Sequence, residues 1–353
     1  MINKWKKVLA AAAASCSILL FTACGNSEVV FTTGFGSNEV FRIGSERADK
    51  TEYLLYLTNI ANKYQQVYGE EFWSLKEEDG TTMLDKCKNL ALAQLSQVKA
   101  MKLLAEQNDI VLTEEEKALV QAAAGQYIAT LSAAEKEVLE LAEADAVVQL
   151  YGEKLLADKL YVYLIRDVNP EISDDEARII TVQHILLKTY TMDDNGNREE
   201  LDAASVGKLL EKAEEIQKEA VSGENFETLI SKYNEDTKST YSFGKGDMEE
   251  IFEEAAYALA KDEISEVVRT SHGFHIIKCI STLDREQTDL NKVKLLISRK
   301  QEVFGDTYNQ FAAELKKQEN TEWIHNLVLP DTNVVDTTEL FEIYESQLGS
   351  LFE

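Results

Sequence analysis

The stretch at residues 248–280 reads MEEIFEEAAYALAKDEISEVVRTSHGFHIIKCI, and its hydrophobic pattern changes halfway along. Met248 and Phe252 stand four residues apart at its start, in a segment whose apolar residues share one face, which is typical of a helix. The second half contains two short runs rich in β-branched residues, joined by a His-Gly turn. The later run, residues 274–277, is apolar except for His275. The stretch therefore predicts a helix followed by two strands, with a histidine in the buried strand.

A second apolar run with a central histidine lies upstream, at residues 182–188 (VQHILLK), and contains His184. Between the two runs, apolar spacing predicts a long helix over about residues 203–221 and a short helix around residues 226–233. Residues 178–283 then have the order strand, three helices, two strands. This order predicts an antiparallel sheet with helices around it, in which the two histidine-bearing strands are neighbours.

The local sequence of this region resembles the parvulin-type (PpiC-like) peptidyl-prolyl cis/trans isomerases. The resemblance rests on the segments GKGDM, FEEAAYAL and GFHIIK, in the order in which that family has them. It implies an enzyme that rotates X-Pro peptide bonds and needs no cofactor. No Cys or His spacing in the sequence is typical of a metal site, so no metal is expected either.

The resemblance also implies which side chains form the site. The residues matched to the family's polar centre, expected to be catalytic, are His184, Asp236, Thr270 and His275. The residues matched to its proline-binding slot are Phe243, Met248 and Phe252. Asp236 is expected to shape the electrostatics at the carbonyl of the twisted bond and not to attack it.

Each of these residues also has an interpretation without function. A histidine in a buried strand is more often a hydrogen-bonded core residue than a catalytic one. The Met248 and Phe252 pair could be ordinary core packing, and Asp236 could be a loop acid that caps a backbone group. Residues 237–242 also depart from the family, since they are shorter and lack the leucine that helps to wall the slot. Either Tyr241 substitutes for that leucine or the pocket is more open.

The chain on either side of this region is predicted to be helical. Apolar residues recur at three- and four-residue spacing from about residue 51 to 166, and again over residues 289–325. Capping boxes begin at Thr113, Ser132 and Ser173. This layout resembles the SurA/PrsA type of extracytoplasmic foldase. It implies an α+β fold, in which a mainly helical SurA-N-like chaperone domain built from both chain ends carries an inserted parvulin α/β domain.

The expected domains follow from these boundaries. In chain order they are a signal peptide (1–23), a tether (24–38), a helical chaperone domain (39–170), the isomerase domain (178–283), and a C-terminal helix and tail that pack on the helical domain (289–353).

The amino terminus is typical of an exported protein. Three lysines precede a short uncharged apolar run that ends in LFTACG, which resembles a bacterial lipobox. The resemblance implies lipidation at Cys24 and attachment to the outer face of the cytoplasmic membrane through an N-terminal lipid. An ordinary signal peptide cleaved near Ala23 is the alternative. After removal of the signal, Cys87 and Cys279 remain, and two isolated buried thiols are expected there rather than a disulfide.

The formal net charge of −27 argues against nucleic acid as a partner, and the family resemblance leaves two functions open. Nucleic-acid binding needs a basic face, so no nucleic acid is expected as a partner. The first hypothesis is a peptidyl-prolyl isomerase and foldase that acts on unfolded or partly folded exported proteins with X-Pro bonds. The alternative is a non-catalytic chaperone that holds such clients on a parvulin scaffold. A two-lobed solute receptor is disfavoured because repeated strand–helix units are absent from the sequence.

Overall fold

The structure is a computed structural model, and it describes residues 34–141, 143–193 and 196–352. The chain divides into two compact units. The first contains the residues up to Val168 together with those from Glu302 onward, and the second extends from Asn169 to Gln301. Cys24 lies outside the described residues.

The described helices begin and end as follows, in chain order: α1 (Lys50–Tyr68), α2 (Met83–Gln107), α3 (Glu114–Thr130), α4 (Ala133–Val138), α5 (Asp145–Ile165), α6 (Asp174–Ala177), α7 (Ala203–Val221), α8 (Phe226–Tyr233), α9 (Glu250–Ala258), α10 (Arg285–Glu314), α11 (Thr321–Asn326) and α12 (Leu340–Leu348). Short 3₁₀ helices lie at Glu70–Ser74 and Gly349–Phe352. No helix in the described part of the chain combines the length and apolarity needed to cross a membrane.

The strands, in chain order, are β1 (Glu39–Ile43), β2 (Glu46–Asp49), β3 (Ile180–Lys188), β4 (Tyr190–Met192), β5 (Arg198–Glu200), β6 (Thr240–Phe243), β7 (Val268–Arg269), β8 (Gly273–Ser281) and β9 (Lys317–Glu319). They form a three-stranded sheet in the order β2-β1-β9, a four-stranded sheet in the order β6-β3-β8-β7, and the β4-β5 hairpin. All of these pairs are antiparallel. The predicted α+β class with antiparallel sheets is confirmed.

Side-chain caps begin most helices of the first unit. At α3 and α4, the side chains of Thr113 and Ser132 each accept a hydrogen bond from the N–H of the third helical residue. The glutamate at that third position in turn accepts a hydrogen bond from the backbone N–H of the cap residue. Two further capping boxes begin α1 at Asp49 and α2 at Thr82. The capping box predicted at Ser173 was wrong: in α6, which lies in the second unit, Ser173 accepts from the N–H of Glu176 but the reciprocal bond is not formed. Helices α1, α2, α3 and α5 bury one continuous core with α11 and α12.

The prediction of an unbroken helix over residues 289–325 was wrong. Helix α10 begins earlier, at Arg285, and ends at Glu314, and β9 follows before α11. Strand β9 pairs with β1, where Phe41 lies opposite Glu319 and Ile43 opposite Lys317. Pairing with a strand far away in the sequence therefore overrides the local helical spacing.

The four-stranded sheet of the second unit has a different core on each face. Because successive side chains of a strand point to opposite faces, Ile185 and Leu187 of β3 pack with α7 and α8. Val182 points to the opposite face and packs against Phe252 of α9. This second face also carries His184, which lies two residues beyond Val182.

Two details of this unit differ from the sequence-based prediction. Helix α9 begins at Glu250, so Met248 lies before the helix and not on its face with Phe252. Glu249 occupies the N-cap position but does not cap the helix, and its carboxylate accepts hydrogen bonds from Ser271 instead. Strand β6 was not predicted, and it supplies the sheet edge next to β3.

Candidate active site

The pairing of β3 with β8 places the two histidines next to each other. His184 lies opposite Ile277 and His275 lies opposite Leu186, so the histidines are diagonal neighbours on one face. Their Nδ1 atoms are 3.1 Å apart, and their rings stack with a centroid distance of 5.2 Å. Both side chains are buried. For a hydrogen bond between them, one of the two nitrogens must carry a proton and the other must accept it.

The loop after α8 holds Asp236 against this pair. The side-chain oxygen of Asn234 accepts hydrogen bonds from the N–H of Leu186 (2.9 Å) and from that of Asp236 (3.3 Å). The N–H of Glu235 donates to the carbonyl of Leu186 at 2.9 Å. Hydrogen bonds therefore hold the loop against β3 next to His184. As a result, Asp236 Oδ2 lies 3.1 Å from His184 Nε2.

Hydrogen-bond partners fix the tautomers of both rings. The carbonyl oxygen of Lys238, 3.2 Å from His184 Nε2, can only accept, so Nε2 carries a proton. In a neutral ring, His184 Nδ1 then accepts, and His275 Nδ1 must donate. His275 Nε2 accepts in turn from the hydroxyl of Thr270 at 2.8 Å. The result is a directed chain of hydrogen bonds from Thr270 through His275 and His184 to Asp236.

Burial keeps both rings neutral. It lowers the pKa of His275 to about 3, and the neighbouring His184 contributes to that shift. The pKa of His184 is also lowered by burial, and the carbonyl of Lys238 and the carboxylate of Asp236 offset only part of the effect. Both rings are therefore uncharged at neutral pH, which agrees with the neutral tautomers assigned above.

Asp236 remains an anion in this setting. Burial acts to raise its pKa, but hydrogen bonds from Tyr241, from the N–H of Thr237 and from His184 outweigh that effect, so its pKa lies below the ordinary value. The hydroxyl of Tyr241 donates to Asp236 Oδ2 at 2.7 Å. Burial, followed by this hydrogen bond, raises the pKa of Tyr241 to about 12. The site therefore presents one negative charge beside two neutral imidazoles.

An apolar cluster adjoins the polar chain. The ring of Phe252 packs edge-on against His275 (5.1 Å) and against His184 (5.8 Å). Phe243 lies 6.0 Å from Phe252, and Met248 packs on the same cluster while staying partly exposed. Phe243 and Phe252 are themselves buried, so Met248 is the member of this group that is accessible to solvent.

The structure thus brings the seven predicted site residues of the second unit into one region. His184, Asp236, Thr270 and His275 form the hydrogen-bonded chain, and Phe243, Met248 and Phe252 form the adjoining apolar group. Sequence reasoning missed Asn234 and the hydroxyl of Tyr241. An Asn two residues before the acid is a common turn residue and could have indicated the first. Nothing in the local pattern indicates the second.

Comparison with known proteins found a family model and relatives that match this part of the chain. The family model for the rotamase (PPIC-type PPIase) domain matches residues 184–281. Foldase protein PrsA 1 of Bacillus cereus is 30% identical over 147 residues, which are 40% of this chain and 45% of that protein. Foldase protein PrsA of Clostridium acetobutylicum is 24% identical over 317 residues, which cover 84% of this chain and 89% of the relative.

Among solved structures, a peptidylprolyl isomerase (PrsA) from Bacillus cereus aligns with a TM-score of 0.35 and 21% identity, over 77% of this chain and 97% of that one. The match to the Bacillus cereus sequence spans less than half of that relative, and a match to foldase protein PrsA 1 of Listeria monocytogenes spans 27% of it. The predicted resemblance is confirmed: the chain carries a parvulin-type (PPIC-type) domain and is related to the PrsA foldases.

Proposed function

We propose that this chain is a parvulin-type peptidyl-prolyl cis/trans isomerase that assists protein folding. The observation that carries the proposal is the directed hydrogen-bond chain from Thr270 to Asp236, which lies against an apolar cluster containing Met248. An isomerase needs an apolar place for the proline ring and a fixed electrostatic environment for the amide. Both lie on one face of the sheet.

The proposed chemistry breaks no covalent bond. Rotation about an X-Pro bond must overcome the loss of amide resonance, a barrier of about 18–20 kcal/mol. Resonance places partial negative charge on the carbonyl oxygen. A fixed carboxylate near that oxygen disfavours this charge separation and so favours the twisted amide. Asp236 fits this role because its side chain is 23% exposed and its charge is fixed by hydrogen bonds.

The histidine pair acts in this proposal by holding Asp236 in place. His184 donates to Oδ2, and His275 together with Thr270 fixes which nitrogen of His184 donates. Phe252 connects the pair to the apolar cluster by packing against both rings. A proline ring bound against Met248 and Phe252 would lie next to the polar chain.

The test is isomerisation of X-Pro tetrapeptides by the purified chain, measured by NMR exchange. Asp236→Asn keeps the shape of the side chain but removes its charge, and we expect catalysis to fall by about 10–100-fold. The matched control is Asp289→Asn, at an exposed carboxylate of α10, which should leave the rate unchanged. A folded wild-type chain that does not accelerate exchange would exclude the isomerase.

The cellular setting is part of the proposal. We infer that Cys24 carries a lipid and holds the protein at the outer face of the cytoplasmic membrane, where unfolded exported proteins are its clients. The lipobox-like LFTACG sequence and the relation to PrsA foldases support this. In the native bacterium, Cys24→Ser should move the protein out of the membrane fraction, and mass spectrometry of the wild-type chain should find the acyl modification.

One observation favours the alternative of a client-holding chaperone. Leu290, Val293 and Ile297 recur at helical spacing on α10 and are 57%, 57% and 47% exposed. A groove of about 710 Å³ lies beside them in the second unit, and its lining includes Ile172 and Leu296. Exposed apolar stripes of this kind fit apolar segments of unfolded chains.

This alternative has its own assay. Replacement of Leu290, Val293 and Ile297 together by serine should reduce the ability of the chain to suppress aggregation of a heat-unfolded reporter protein. Tetrapeptide isomerisation should stay unchanged. Val221→Ser, at a residue that is 60% exposed on α7, is the matched control. Equal suppression by all three proteins would argue against a role for the stripe.

A further inference from the structure

Strand β6 carries a phenol, Tyr241, that contacts the proposed catalytic carboxylate. Tyr241 lies opposite Val182 of β3, so its side chain shares a face with His184. Its hydroxyl donates to Asp236 Oδ2 at 2.7 Å, and its ring lies edge-on to the His184 ring at 5.2 Å. The Lys238 ammonium lies over the phenol ring, 4.7 Å from its centroid.

Both oxygens of the Asp236 carboxylate accept hydrogen bonds. Oδ2 accepts from Tyr241 and from His184, while Oδ1 accepts from the N–H of Thr237 at 2.7 Å. Hydrogen bonds to an ionised group are short and stronger than neutral ones, so two donors on Oδ2 restrict its orientation. The Asp236 side chain is partly exposed, so packing alone does not prevent it from rotating into solvent.

Without the phenol, His184 alone would hold Oδ2. That contact is the longer of the two, at 3.1 Å, and His184 Nε2 shares its proton with the carbonyl of Lys238 at 3.2 Å. A shared proton is a weaker restraint than an undivided one. The orientation of the carboxylate thus depends more on Tyr241 than on the histidine.

We propose that Tyr241 is a positioning residue for the isomerase, which fixes the Asp236 carboxylate towards His184 through its hydroxyl. This inference rests on the proposed function, and it assigns to β6 a task beyond walling the pocket. The ring and the hydroxyl have separate roles, because the ring packs on the apolar cluster and only the hydroxyl contacts Asp236.

Tyr241→Phe separates the two roles in the full chain. The ring stays, so we expect KM for X-Pro tetrapeptides to be unchanged, while kcat falls by about three- to tenfold through loss of one hydrogen bond to a charged group. The acid limb of the kcat–pH profile should move to higher pH, because the carboxylate has lost a donor. A merely structural role would not move that limb.

Tyr257→Phe is the matched control. Tyr257 is a half-buried tyrosine that packs on the same apolar cluster, and its hydroxyl donates to the carbonyl of Arg178 at 2.7 Å, away from Asp236. It should leave kcat and the pH profile unchanged. Wild-type kcat and pH profile in Tyr241→Phe, or equal changes in both variants, would overturn the proposal.

A second measurement separates this inference from the isomerase proposal. Carboxyl-carbon NMR titration of Asp236, assigned with Asp236→Asn, reports the hydrogen bond without any substrate. If the wild-type chain shows no isomerisation, the proposed function fails. The titration then decides about Tyr241 alone: a midpoint shifted to higher pH in Tyr241→Phe supports its contact with Asp236, and an unchanged midpoint overturns it.

Discussion

Acid should destabilise the second unit through its two buried histidines. In the unfolded chain a histidine titrates near pH 6.5, whereas burial lowers the pKa of both His184 and His275 in the fold, that of His275 to about 3. The unfolded state therefore binds more protons below about pH 6.5, and the free energy of unfolding falls as pH decreases from there. For His275 the slope should approach about 1.4 kcal/mol per pH unit, and His184 adds to it in the same direction.

Urea unfolding of the full chain between pH 7.5 and 5, followed by the histidine NMR signals of the second unit, measures this slope. His275→Gln cannot take up the proton and should flatten the dependence. His272→Gln, at an exposed residue of the same turn, serves as the control and should keep the wild-type slope. A steep dependence that persists in His275→Gln and His184→Gln would contradict the assignment.

The hydroxyl of Thr270 should matter for stability as well as for the tautomers. Thr270→Val leaves His275 Nε2 without its donor in a buried position, and it also removes the acceptor for the N–H of His272 at 3.0 Å. We expect a loss of about 1–3 kcal/mol in the free energy of unfolding. Thr270→Ser retains both hydrogen bonds and should lose less than half as much. Equal losses in the two variants, by urea unfolding, would mean that the threonine methyl group contributes as much stability as the hydroxyl and would contradict this prediction.

At the scale of residues, the sequence predicted types of side chain better than contacts between them. His184 and His275 could be expected to meet, because two apolar strands with central histidines suit an antiparallel pair. The bond from Tyr241 to Asp236 could not be predicted, since it depends on the register of β6 against β3. That register is set by pairings distant in sequence, which local spacing does not contain.

At the scale of elements, the pairing of β3 with β8 depends on Gly273. This glycine has φ of 144° and lies opposite Lys188, and an added Cβ would be 2.1 Å from the carbonyl oxygen of Leu187. Gly273→Ala must therefore separate the strands, and we expect a loss of more than about 3 kcal/mol. Gly223→Ala measures the cost of backbone strain without a steric clash. Gly223 also has positive φ (103°), but nothing lies within 4 Å of the position that a Cβ would occupy.

Gly223→Ala should lower the free energy of unfolding by only about 1 kcal/mol, because it adds backbone strain and no steric clash. Thermal unfolding of both variants gives the comparison. If the two variants lose the same stability, steric contact with Leu187 contributes nothing and the β3 and β8 backbones must be able to separate at Gly273 without cost.

The elements that could be predicted depend on residues close together in sequence. The elements that were missed depend on pairing with strands far away in sequence. Helices α3 and α4 begin at capping boxes whose partners lie three residues apart, so their starts could be predicted. Strands β6 and β9 are only four and three residues long, and each exists because another strand offers backbone hydrogen bonds. Met248 was placed inside a helix because apolar spacing alone does not show where the helix begins.

At the scale of the whole molecule, the two units carry different chemistry and can be perturbed separately. The first unit buries a network of charges between α1, α2 and α5. Lys99 is fully buried and pairs with Glu52 at 2.5 Å and with Glu153 at 2.7 Å. The side-chain amide of Gln149 donates to both glutamates. All of these residues lie far in sequence from the proposed isomerase site.

Lys99→Met tests whether this network stabilises its own unit alone. The substitution leaves the buried Glu52 carboxylate without its cation and leaves Glu153 with Lys102 alone, at 3.6 Å, so we expect the first unit to lose about 3–5 kcal/mol. None of the three tryptophans lies in residues 169–301, so tryptophan fluorescence during urea unfolding follows the first unit. Lys117→Met, which removes an exposed ion pair with Glu114, should cost less than about 1 kcal/mol.

In the same Lys99→Met protein without urea, X-Pro isomerisation should keep its wild-type rate. A parallel loss of isomerisation would show that the second unit needs the first one folded, and it would make the stability of the helical unit a condition for catalysis.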